Sequence, residues 1–156
     1  MNRKRIHRAG LLLGVGLGGF LDGIVLHQIL QWHHMVCQTA TCEARTVEEF
    51  KKQTFQDGLF HLGVWIVTLI GVILLFRAMR HTERVPHGSE LAGSMLIGWG
   101  SFNIVEGVID HHLLGIHHVL AGSPHQTLAD YVFLGVSLLL VVGGSLLRAS
   151  SRHRLP

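Results

Sequence analysis

Asp22-Gly-Ile-Val-Leu-His27-Gln-Ile-Leu-Gln-Trp-His33-His34 aligns without a gap on Glu106-Gly-Val-Ile-Asp-His111-His-Leu-Leu-Gly-Ile-His117-His118, with an acid, a glycine and three histidines in register. A second pair of segments matches further along the chain, Gln53-Thr-Phe-Gln-Asp57-Gly-Leu-Phe60 against Gln126-Thr-Leu-Ala-Asp130-Tyr-Val-Phe133. The chain reads as one domain of 156 residues built from two tandem copies, residues 9–80 and residues 90–148. What both copies keep is acids and imidazoles in apolar surroundings, a donor set that points to a metal site.

Those surroundings decide the fold class. Hydrophobic residues make up 48% of the chain and charged residues 15%. The charges leave four apolar runs, Ala9 to Leu30, Leu59 to Phe76, Leu91 to Leu114 and Leu128 to Leu147. Each approaches the ~20 residues a helix needs to cross the bilayer core. The expectation is an all-helical, integral membrane bundle of four transmembrane helices, formed by two helix hairpins related by a pseudo-twofold axis along the membrane normal. The basic start, Met1 to Arg8, followed by an apolar run also resembles a signal peptide. The run is too long and lacks a small-x-small cleavage site before Gln31-Trp-His-His34, so it reads as a helix.

Lys and Arg near helix ends set orientation. Arg3, Lys4, Arg5 and Arg8 precede helix 1, Arg77, Arg80 and Arg84 follow helix 2, and Arg148, Arg152 and Arg154 follow helix 4. Both termini are therefore expected in the cytoplasm, with the protein in a bacterial inner membrane. The isoelectric point near 9.3 follows from this topology and implies contact with anionic membrane lipids rather than nucleic acid. Cys37 and Cys42 fall in the first outer loop, where either a disulfide or a pair of copper-binding thiols is chemically reasonable. In the same loop Thr46-Val-Glu-Glu49 has the form of a capping box. It predicts a short helix lying over the outer face and leading into helix 2.

Glycines suggest which helices meet. Gly10, Gly14, Gly18 and Gly19 on helix 1, with Gly93, Gly98, Gly100 and Gly107 on helix 3, permit close backbone approach. Helices 1 and 3 are thus expected at the centre, while pairing of two copies through the glycine face of helix 1 stays open. Gly115 is placed to close helix 3 in a left-handed conformation, leaving His117 and His118 on a loop.

A carboxylate at the depth of Asp22 or Glu106 costs on the order of 3 kcal/mol to insert and faces the bundle interior or a wet cavity. On a regular α-helix Asp22 and His27 lie ~140° apart, so no single helix closes a site. Donors should come from different helices, as in bundle metal centres. The expected cluster takes His27 and His111 with Asp110, Asp57, His61 and Asp130 at the same level. Asp22 and Glu106 lie below it, as ligands or as acceptors for imidazole N–H groups. His33, His34, His117 and His118 form a rim, as a second site or an access path. Purely structural roles compete at each position: carboxylates bonding across the two halves, interfacial imidazoles in water, and histidines satisfied in a core.

Mixed imidazole and carboxylate donors suit zinc, iron or copper, as one ion or as a dinuclear pair. A redox-active ion would act on a lipid, a hydrophobic substrate or a quinone, and zinc would supply an acidic water. The alternatives are a haem ligated by His27 and His111, or a copper or zinc handling protein serving respiratory enzyme assembly. The sequence has no G-x-S-x-G, H-E-x-x-H or phosphate loop, so those enzyme classes find no support.

With Leu21-Asp-Gly-Ile-Val-Leu-His-Gln-Ile-Leu-Gln-Trp-His-His34 and Val105-Glu-Gly-Val-Ile-Asp-His-His-Leu-Leu-Gly-Ile-His-His118 in view, the chain resembles a family of small bacterial membrane proteins of unknown function. The resemblance covers nearly the whole chain and implies a four-helix inner-membrane protein, with no activity to carry over. The histidine boxes are only loosely similar to those of membrane desaturases, whose spacing and membrane side differ.

Overall fold

A computed structural model describes residues 3–37, 42–80 and 87–150. Among these the chain is helical and contains no strand. Helix α1 spans Arg3–Leu21 and continues as a π-helical extension, Asp22–Ile29. Helix α2 spans Val47–Arg80. Helix α3, Gly88–Glu106, likewise runs on into a π-helical extension, Gly107–Leu113, and α4 spans Gln126–Ser150. Arg84, Arg152 and Arg154, used above to orient the chain, lie outside the described residues.

The helices pack in the order α2, α1, α3, α4, with α1 and α3 in the middle. Glycine makes the central crossing possible. A Cβ on Gly14 would run into the Met95 carbonyl of α3, and one on Gly98 would run into the Leu11 carbonyl of α1. The glycine face of α1 is filled within the chain, since Gly16 meets Thr68 and Gly19 meets Val64 of α2.

Among the described residues three helical segments, Arg3–Ile29, α2 and α4, are long and apolar enough to cross a membrane. Helix α3 is more polar, carrying buried Glu90, Ser94, Asn103 and Glu106, and it sits between α1 and α4 where those groups avoid lipid. The outer helices α2 and α4 leave most of their apolar surface uncovered, as expected where hydrocarbon rather than protein is the neighbour.

The capping box forms as expected. The Glu49 N–H donates to Thr46 Oγ1 at 3.1 Å and Thr46 N–H donates to Glu49 Oε2 at 3.2 Å. The helix it starts is not a separate segment over the outer face, however, because α2 runs without a break from Val47. No glycine or proline interrupts the sequence between the cap and the apolar run until Gly58, which α2 absorbs. Cys37 and Cys42 form a disulfide, which removes them as thiol ligands.

Candidate metal centre

The two π-helical extensions shape the site. In a π-helix the hydrogen bond spans five residues, so a residue five positions on returns to nearly the same face. This brings Asp22 over His27, with Asp22 Oδ2 3.1 Å from His27 Nε2, and Glu106 over His111, with Oε1 3.5 Å from Nε2. Regular α-helix geometry kept each pair apart; the wider winding corrects that expectation.

Both extensions end in the same way. Leu30 N–H reaches the Val25 carbonyl and Trp32 N–H the Leu26 carbonyl, while Leu114 N–H reaches Ile109 and Ile116 N–H reaches Asp110. A left-handed residue follows the extension in each half, Gln31 at φ 50° and Gly115 at φ 57°. Gly115 adopts this conformation at little cost, whereas Gln31 bears some strain. The reversal folds His33 and His117 back under the helix ends, so both are buried rather than set on a rim. His33 Nε2 stands 3.7 Å from Asp22 Oδ1, and His117 Nε2 stands 3.4 Å from Glu106 Oε1.

The four imidazoles make one compact group. The His33 and His117 rings stack at 4.7 Å with planes 6° apart. His27 lies against His33 at 4.6 Å and His111 against His117 at 4.9 Å. Phe60 and Phe133 close the sides, 5.6 Å from His27 and 5.5 Å from His111. Their part in the site was not expected from sequence, although both end the second matched segment.

Asp57 and Asp130 do not point into the group but hold its imidazoles from behind. Asp57 Oδ1 lies 3.2 Å from His27 Nδ1 and accepts the Met35 N–H at 2.8 Å, while Oδ2 accepts His34 Nδ1–H at 2.7 Å. Asp130 Oδ1 lies 3.4 Å from His111 Nδ1 and accepts the Val119 N–H at 2.9 Å, while Oδ2 accepts His118 Nδ1–H at 2.6 Å. A carboxylate behind Nδ1 directs Nε2 toward an ion and raises its basicity. His34 and His118 therefore brace the bracing acids. His61 joins neither three-donor set: its Nδ1 donates to its own helix at the Asp57 carbonyl, 2.7 Å, and its Nε2 lies against Gly23. Asp110 is half-buried and joins neither three-donor set.

Among the described residues two sets of three donors have spacings an ion could bridge: Asp22, His27 and His33, and His33, Glu106 and His117, all buried. Among the described residues, three of the converging atoms, Asp22 Oδ1, His33 Nε2 and Glu106 Oε2, have no hydrogen-bond partner. Each such atom costs about 1–3 kcal/mol if nothing satisfies it. The tautomer of His33 sharpens the point. Its Nδ1 contacts the Val119 carbonyl at 3.0 Å, and a carbonyl only accepts, so Nδ1 carries the hydrogen and Nε2 presents a lone pair to Asp22. Burial, reinforced by His117 and His27, pushes the His33 pKa down to about 3, so the ring stays neutral near pH 7. A lone pair facing a carboxylate in a buried space is satisfied by a metal ion or a proton between them.

With the helical frame and this polar centre described, one comparison is decisive. The profile of a family described as predicted membrane protein (DUF2243) matches residues 9–151. The chain belongs to that family. The matched stretch takes in the whole polar centre, from Asp22 to the bracing Asp130. No curated protein and no solved structure matches the chain.

Proposed function

We propose that this member of the DUF2243 family is a membrane metalloprotein whose resident transition-metal centre is held by Asp22, His27, His33, Glu106, His111 and His117 near the extracytoplasmic face. The observation that carries this reading is the buried His33 Nε2, whose ring donates from Nδ1 to the Val119 carbonyl, standing 3.7 Å from Asp22 Oδ1. Matching roles at Asp22 and Glu106, His27 and His111, His33 and His117, and Asp57 and Asp130 support an ancestral duplication with a pseudo-twofold axis between α1 and α3. The donor set suffices for one ion or two, and nitrogen with oxygen ligation suits iron, zinc or copper(II). An iron or copper centre here would serve oxidoreduction of a hydrophobic partner such as a quinone, reached from the lipid side.

Packing favours a bare ion over haem, because the stacked His33 and His117 rings fill the space between the halves that a porphyrin would need. Burial of the donors and the closed Cys37–Cys42 bridge favour a held ion over one handed on to a respiratory assembly partner. The arginine pattern, with the disulfide on the opposite side, favours cytoplasmic termini and a bacterial inner membrane.

Elemental analysis with an optical spectrum on detergent-purified protein tests the proposal. We expect a transition metal in fixed ratio to protein, lost in His33→Ala and Asp22→Asn. Equal metal content in wild type and both variants would refute it, and a Soret band would replace it with the haem reading.

A further inference from the structure

The opposite end of the bundle carries a second polar feature that the metal centre does not use. Arg5 and Arg8 of α1, with Leu74, Arg77 and Arg80 of α2, line a cavity of about 590 Å³. Arg5 and Arg8 are three residues apart, as are Arg77 and Arg80, so each pair shares a helix face. The nearby acid Glu90 is engaged by Arg3 at 3.6 Å. Among the described residues no carboxylate pairs with the four lining arginines. Arg80 lies over the ring of Phe76, 5.8 Å from its guanidinium to the ring centre.

Four guanidinium groups around one space repel each other unless an anion lies among them, and their planar forks match phosphate oxygens. Position narrows the choice of anion. Arg8 immediately precedes the apolar run of α1 and Arg77 immediately follows that of α2, so the cavity sits at a membrane–water boundary. Below it the exposed side chains of Ile73 and Phe76 offer an apolar path along α2. A ligand with phosphate at its head and hydrocarbon beneath fits both features.

We infer that the Arg5, Arg8, Arg77 and Arg80 cavity binds the phosphate of an acidic phospholipid, seating one lipid between α1 and α2. Basic pockets between membrane helices on the cytoplasmic side recognise such headgroups. This site is independent of the metal centre and stands or falls without it.

Native mass spectrometry of the full chain in neutral detergent, titrated with phosphatidylglycerol, phosphatidylcholine or inorganic phosphate, tests the assignment. Phosphatidylglycerol should bind at least tenfold more tightly than phosphatidylcholine. The double variant R77Q/R80Q should lose that preference, and R5Q/R8Q, from the other wall, should lose it too and stands in should the first misfold. The pair K51Q/K52Q at the far end of α2 should leave it intact. Undiminished preference in folded R77Q/R80Q or R5Q/R8Q would overturn the site. Inorganic phosphate binding as tightly as the lipid, with the same arginine dependence, would overturn the lipid as its source.

Discussion

Asp57 and Asp130 carry the clearest residue-scale consequence. Each uses one oxygen near a buried imidazole Nδ1 and the other on a loop histidine, so neither is itself a donor to the ion. Asp57→Asn should therefore weaken metal binding about 10–100-fold without abolishing it, as such supporting groups do. Competition with a chromophoric chelator would measure it. His61→Ala should leave affinity unchanged, since that ring bonds its own helix. Sequence alone marked all of these residues as candidates, Asp57 and Asp130 because carboxylates recur at matched positions and His61 because it lies one turn beyond Asp57. It did not assign their roles. His33 and His117 looked like a rim and are as buried as His27 and His111, because the left-handed turns at Gln31 and Gly115 fold them inward. Gly115 advertised its turn, but Gln31 gave no such signal.

At the scale of the elements, what was legible followed ordinary helix rules and what was hidden broke them. The capping box at Thr46 and Glu49, the four helical runs and the α1–α3 contact follow from composition and spacing. The π-helical extensions do not, since assuming 3.6 residues per turn sets Asp22 and His27 on different faces. The continuity of α2 from its cap was missed because the polar first turns resemble a separate surface helix. Thr46→Ala should cost about 1 kcal/mol of stability, readable by thermal unfolding in detergent. Gly14→Ala should be far more damaging, because its methyl would meet the Met95 carbonyl backbone, which cannot move without parting α1 from α3. Gly63→Ala, with open space around it, should be neutral in the same assay or slightly stabilising.

For the whole molecule, the order α2, α1, α3, α4 places the polar α3 between neighbours and turns the apolar faces of α2 and α4 outward. A buried set of acids and imidazoles then forms where the two central helices end. This arrangement puts the disulfide loop and the candidate metal centre at one end and the arginine cavity at the other. Reporter fusions at the two termini should both read as cytoplasmic, giving fluorescent protein signal and no periplasmic phosphatase activity. The central claim concerns the space between the Asp22, His27 and His33 side chains and their counterparts. Anomalous diffraction from crystals grown with the metal found in purified protein tests it most directly. The account predicts a peak about 2.0–2.2 Å from His33 Nε2 and from a carboxylate oxygen of Asp22 or Glu106. A metal-replete crystal with no peak there, or with its ion held elsewhere, would contradict it.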